Sequence, residues 1–157
     1  MSDIGKWFEG KTQDALKEIQ AEGGSMYYRF PDSNAARNYL AAQPGDHMLL
    51  TRGIAILMEE KCSEAYESLS SGFSSLWSKK QAAQHRVWHR SNNPSWVLFC
   101  DRTAEKVEIW DGRVVANMRV TGKRLTSSYY PIATAHISNL KGLILMAVEY
   151  ELGGIAQ

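Results

Sequence analysis

The sequence predicts a single α/β domain in which helices flank a mixed central β-sheet, and three observations predict it. Apolar residues recur at helical spacing near the N-terminus, across the middle of the chain and again near its end. Short apolar or aromatic runs bounded by glycine, proline or asparagine lie between those stretches and read as strands. The chain has 157 residues, 44% of them apolar, which suits one hydrophobic core.

The first helix is predicted from Gly5-Lys6-Trp7-Phe8-Glu9 onward, because residues 8, 12, 15, 16 and 19 share one helical face. Gly23-Gly24 stops it, and the aromatic run Ser25-Met26-Tyr27-Tyr28-Arg29-Phe30 reads as the first strand. A short helix is expected over 34–42, capped by Asp32 or Ser33. Met48-Leu49-Leu50-Thr51 and Ile54-Ala55-Ile56-Leu57-Met58 are separated only by Arg52-Gly53, which predicts a hairpin with a tight turn. Leu69, Phe73, Leu76, Trp77, Ala83, Val87 and Trp88 predict one helix over 68–90, broken near Gly72 and ended by Asn92-Asn93-Pro94. Trp96-Val97-Leu98-Phe99-Cys100 reads as a buried strand, and Lys106-Val107-Glu108-Ile109-Trp110 pairs either with it or with the next strand along the chain. Asp111-Gly112 is a turn signal, after which 113–120 is expected to be a further strand, and Tyr129-Tyr130-Pro131 marks a loop. A last helix from about Ser138 carries Leu140, Leu143, Ile144, Ala147, Val148 and Leu152 on one side and stops at Gly153-Gly154. Leu145, Met146 and Tyr150 widen that stripe, so the helix either completes the core or makes a dimer contact.

Composition narrows the function classes. No run of about 18 uninterrupted apolar residues and no basic-then-apolar leader is present, so the expectation is a cytoplasmic protein without a membrane span. Two cysteines, Cys62 and Cys100, give neither a disulfide framework nor zinc-ligand spacing, and they read as structural thiols. Cys62 as a nucleophile with His85 or His89 lacks an evident third orienting group. The net charge is only +1, but it is unevenly spread. From Leu76 to Arg124 there are ten Lys or Arg against four Asp or Glu, whereas residues 1–75 carry seven against eleven. Lys79, Lys80, Arg86, Arg90, Lys123 and Arg124 are the candidates for contacting nucleic-acid phosphates; the alternative for the helix cations is a solvated outer face.

The acids of the first half are placed for chemistry. Asp46 opens one hairpin strand, and Glu59-Glu60-Lys61 closes the other at the same end. Side chains alternate along a strand, so Glu59 and Lys61 share a face while Glu60 points the other way. Two carboxylates can hold a hard divalent cation through oxygen, and a lysine ammonium can hold the attacking water or the negative charge growing on a phosphate.

The chain resembles the PD-(D/E)xK nuclease superfamily, and within it the compact Holliday-junction resolvases of archaea, phages and Gram-positive bacteria. The residues that carry the resemblance are Gly5-Lys6-x-Phe8-Glu9, Pro44-Gly45-Asp46, Glu59-x-Lys61 and Gln84, within roughly residues 5–110. The usual Pro-Asp pair is here Pro-Gly-Asp. The resemblance implies a restriction-endonuclease-like core and metal binding by Asp46, Glu59 and the carbonyl of Glu60, with Mg2+ as the cofactor and Mn2+ as a substitute. It implies further that Lys61 acts at the attacking water and that Glu9 approaches the metal from the first helix. Gln84 would be the helix glutamine of the site, with Gln81 one turn earlier as the alternative, and Arg29 and Ser33 would face DNA.

The function this predicts is a metal-dependent endonuclease that resolves four-way DNA junctions as a homodimer, since a twofold dimer accounts for paired, symmetric cuts. A same-fold nuclease acting on single-stranded, flap or duplex DNA is one alternative. A nucleic-acid-binding module without catalysis is the other.

Overall fold

The computed structural model describes residues 3–31, 43–64, 78–121 and 130–155. Helix α1 (Asp3–Ala21) buries Phe8, Thr12, Ala15, Leu16 and Ile19, the predicted face, together with Glu9. Gly23 and Gly24 follow it at φ 89° and 77°, a backbone region closed to most side chains. Strands β1 (Ser25–Arg29), β2 (His47–Thr51) and β3 (Ile54–Ser63) then form an antiparallel meander. Thr51 pairs with Ile54 across Arg52 and Gly53, whose φ values of 49° and 84° are those of a type I′ hairpin turn.

After a crossover that includes α2 (Lys79–Arg90), β4 (Ser95–Asp101) joins β3 in parallel, with Glu59 opposite Val97 and Cys62 opposite Cys100. β5 (Lys106–Asp111) pairs with β4 and β6 (Ala133–His136) with β5, both antiparallel. Helix α3 (Gly112–Thr121) lies between β5 and β6 in the chain, and α4 (Leu140–Ile155) closes the described fold. The sheet order is β1-β2-β3-β4-β5-β6, a mixed sheet with helices on both faces. On one face α1 and α4 pack over Leu49, Ile56, Met58, Trp96, Leu98 and Ile109. On the other, α2 and α3 supply Ala82, Val115 and Ala116 to a second core with Val97, Phe99 and Trp110. All seven residues of β4 are buried. Each large apolar side chain so enclosed contributes about 1.5–3 kcal/mol, so β4 is the strand on which both cores depend.

Several expectations need correction. Residues 113–120 form helix, not strand. The valines at 114, 115 and 120 favour a strand, but Gly112, Val115 and Ala116 are buried at helical spacing. The Asp111 carboxylate also accepts the Arg113 N–H at 2.8 Å, capping the first turn. Gly112 itself is required, because a Cβ there would meet Ser95 Oγ at 2.1 Å and His85 Nδ1 at 2.7 Å. Of the helix expected over 68–90, residues 68–77 lie outside the described residues, and the described helix is Lys79–Arg90. It starts at Lys79 behind a capping box, in which Ser78 Oγ accepts the Gln81 N–H and Gln81 Oε1 accepts the Ser78 N–H. β6 is a strand that lacks the run of large apolar residues that predicts the others. In α4, Leu143 and Ile144 are core residues, while Leu145, Met146 and Tyr150 are the exposed part of the stripe. The expected helix over 34–42, Tyr129, and the site candidates Ser33, Lys123 and Arg124 lie outside the described residues. Among the described residues no helix is long and apolar enough to cross a membrane.

Candidate active site

The site begins at Gly45. It is buried against β3, where a Cβ would come within 2.8 Å of both Leu57 Cδ1 and Met58 O, so only glycine lets the chain pass this close. The extra residue in Pro-Gly-Asp thus allows the next residue to dock. The Asp46 N–H donates to Met58 O at 2.9 Å, the Phe30 N–H donates to Asp46 O at 2.9 Å, and Asp46 Oδ2 accepts the Glu60 N–H at 2.7 Å. Extending the β2–β3 register by one residue sets Asp46 level with Glu59.

Glu59 faces α2 and is 1% exposed. Its Oε1 accepts from Lys61 Nζ at 2.7 Å and from Gln81 Nε2 at 2.5 Å. Burial first, then the charge of Asp46, pushes the Glu59 carboxyl from an ordinary 4.5 up to about 8, with Lys61 opposing the shift and Glu9 adding to it. Burial works against the Lys61 ammonium, but Glu59, through charge and hydrogen bond, and then Asp46 hold its pKa above the usual value. Lys61 is therefore a fixed cation.

Glu60 points to the opposite face, as strand alternation predicts. Its Oε1 lies 2.8 Å from Nδ1 of the fully buried His47. Burial, reinforced by Asp46, raises the Glu60 carboxyl well above the carboxylate range, while burial and the charge of Arg29 lower His47 to about 4. Both directions favour a neutral pair, with the carboxylic acid donating to the imidazole. No sequence motif singles out His47, although its alternation with Leu49 and Thr51 marks it as inward-facing.

Glu9, on α1 and 7% exposed, adds to the upward shift of both Glu59 and Glu60, so it stands within electrostatic reach of the site. Its Oε2 is 3.6 Å from Arg29 Nη2, which gives the half-exposed Arg29 a carboxylate partner as well as solvent access. The helix glutamine bonded to Glu59 is Gln81, held in the first turn of α2 by its capping box; Gln84 is half-buried one turn later. Lys79, Lys80, Arg86 and Arg90 are all exposed on the same helix. His85 and His89 both hydrogen-bond the Ser95 hydroxyl, at 3.0 and 2.8 Å, whereas Cys62 stands opposite Cys100 in the core on the α1 side of the sheet.

Asp46 and Glu59 therefore crowd acidic groups into a buried place where Glu59 resists ionisation, and a hard cation would relieve that resistance. Among the described residues no group of three His, Cys, Asp or Glu side chains stands ready to enclose a metal ion. Magnesium is ordinarily bound through one or two carboxylates, with water and substrate oxygens completing its shell. Asp46 and Glu59 supply two, which fits that ion.

Fold and site together define an α/β protein with a buried carboxylate–lysine cluster where β2 and β3 meet. No family model and no curated protein sequence matches the chain. Among solved structures it is similar to Hjc of Archaeoglobus fulgidus, described as a Holliday junction resolvase from an archaeal hyperthermophile. The two are 14% identical over 88% of this chain and 97% of that one, with a TM-score of 0.46.

Proposed function

We propose that this protein is a divalent-metal-dependent endonuclease that hydrolyses DNA phosphodiester bonds, with four-way junctions as its preferred substrate and a homodimer as its working form. The observation that carries the chemistry is the union of Asp46, Glu59 and Lys61 in one place, with Lys61 2.7 Å from Glu59. A bound Mg2+ would supply charge that activates water and neutralises the phosphate. Asp46, Glu59 and the Glu60 carbonyl would hold it. Lys61 keeps its proton and directs an N–H towards the attacking water or a phosphate oxygen, where negative charge grows in the transition state. Gln81 fixes the Glu59 carboxylate from the α2 side, and Glu9 adds negative charge from α1.

Exposed Lys79, Lys80, Arg86 and Arg90 support a phosphate-binding surface beside this site. Preference for a four-way junction and work as a dimer follow from the sequence resemblance, and the exposed Leu145, Met146 and Tyr150 of α4 offer an apolar surface for a second copy. The test is binding in Ca2+, which fills such oxygen sites without supporting hydrolysis, to a four-way junction and to a duplex of the same sequence. Tighter junction binding by a dimer is expected. Equal affinities, or a monomer on DNA, would reject junction resolution and leave the nuclease chemistry to be tested separately.

A further inference from the structure

We propose that Cys62 and Cys100 are an oxidative modification site: a reversible disulfide between them distorts the end of β3 and slows the candidate active site, an effect on cleavage that rests on the function proposed above. The two residues stand directly opposite each other in the parallel β3–β4 ladder, both as free thiols. Opposed residues on neighbouring strands lie about 4.8 Å apart, within the roughly 4.4–6.8 Å between Cα atoms that a disulfide spans. Their side chains leave the sheet on one face, into the same core. A local shift of about 1 Å in the strands is enough to bring the sulfurs to bonding distance.

Access gives the reaction an order. Cys62 is 8% exposed and Cys100 fully buried, so an oxidant reaches Cys62 first. A hydroperoxide takes two electrons from the Cys62 thiolate and leaves a sulfenic acid, releasing water or an alcohol. The Cys100 sulfur then attacks Cys62 Sγ, the S–O bond breaks, and water leaves with the Cys100 proton. Two thiols are oxidised and one peroxide is reduced.

The consequence follows from position. Cys62 comes directly after Lys61 and three residues after Glu59. A disulfide prefers Cβ atoms about 3.8 Å apart, roughly 1 Å closer than the strand spacing, so β3 must shift locally where it carries Lys61 and the Glu60 carbonyl. A misplacement of about 1 Å at a catalytic group can cost on the order of 100-fold in rate. The same mismatch keeps the bond easily reduced.

The full chain, treated with hydrogen peroxide and analysed by intact mass without reductant, should lose the mass of two hydrogens and yield a joined peptide containing Cys62 and Cys100. Dithiothreitol should reverse this, and neither Cys62→Ser nor Cys100→Ser should show it. Magnesium-dependent cleavage should fall at least about tenfold in the oxidised protein and recover on reduction, while Cys100→Ser should cut at the wild-type rate with or without peroxide. Gain of oxygen at Cys62 without loss of two hydrogens, or an unchanged mass, would overturn the disulfide. A formed disulfide with unchanged cleavage would overturn the switch. The mass result holds whether or not the reduced protein cuts DNA, so failure of the nuclease assignment is told apart from failure of the disulfide.

Discussion

Glu59→Gln should make the metal-free protein relatively more stable as pH rises from about 5 to about 7. In the folded protein the Glu59 carboxyl titrates at about 8 against an ordinary 4.5, so the folded state binds more protons than the unfolded one across that interval. The stability this group contributes is complete below 4.5 and is lost as pH climbs through 8. Each pH unit inside the window costs about 1.4 kcal/mol, and between about pH 5 and about pH 7 the loss reaches roughly 2–3 kcal/mol. Glutamine cannot ionise and escapes that loss. Its amide oxygen still accepts from Lys61, which stays charged throughout, so any change in that contact does not vary over this range. Buried His47 and His85, lowered to about 4 and about 3, titrate alike in both proteins and cancel in the difference. Urea unfolding in EDTA at several pH values would give the stability difference between mutant and wild type. A difference that does not change with pH refutes the account of Glu59. Magnesium at about 100 times its dissociation constant should add about 2.7 kcal/mol to the wild type at neutral pH and less to the mutant.

Other substitutions separate the roles of the neighbours. Lys61→Ala should lower turnover by roughly 100- to 1000-fold, the loss of about 2.7–4 kcal/mol typical of one transition-state donor, and an unchanged rate would make Lys61 a bystander. Gln81→Ala should slow cleavage more than Gln84→Ala, since Gln81 holds Glu59; the reverse order in single-turnover assays would return the role to Gln84. Glu9→Gln should impair cleavage more than Glu18→Gln, because Glu9 is buried beside the site and Glu18 is exposed on the same helix. Equal, small effects would limit α1 to packing.

Much of this fold is legible in the sequence because local signals and tertiary packing agree. Arg52-Gly53 between two apolar runs specifies a two-residue hairpin, and its register places Asp46 and Glu59 side by side. Gln81 ranks behind Gln84 in the sequence because Gln84 keeps the distance from the Trp96 strand that the resemblance implies, whereas the Ser78–Gln81 capping box holds Gln81 against Glu59. Helix α3 reads as a strand because its valines argue for one, and only packing against Val97, Phe99 and Trp110 rewards the helical face. The His47–Glu60 pair joins residues thirteen apart through the β2–β3 register and leaves no local signature. Leu140, Leu143, Ile144, Ala147 and Val148 form the buried side of α4, as their helical spacing predicts, while Leu145, Met146 and Tyr150, which widen the stripe, are exposed.

The central claim is that Asp46 and Glu59 form a metal-dependent phosphodiesterase site, and cleavage of a labelled four-way junction by wild type and Asp46→Asn tests it most directly. Asparagine keeps an oxygen to accept the Glu60 N–H, so the fold should persist, as circular dichroism would verify. Wild type should cut in Mg2+ and stop in EDTA, while the folded Asp46→Asn protein should cut at least about 100-fold more slowly. Cutting that survives EDTA, or an Asp46→Asn rate equal to wild type, would contradict the account.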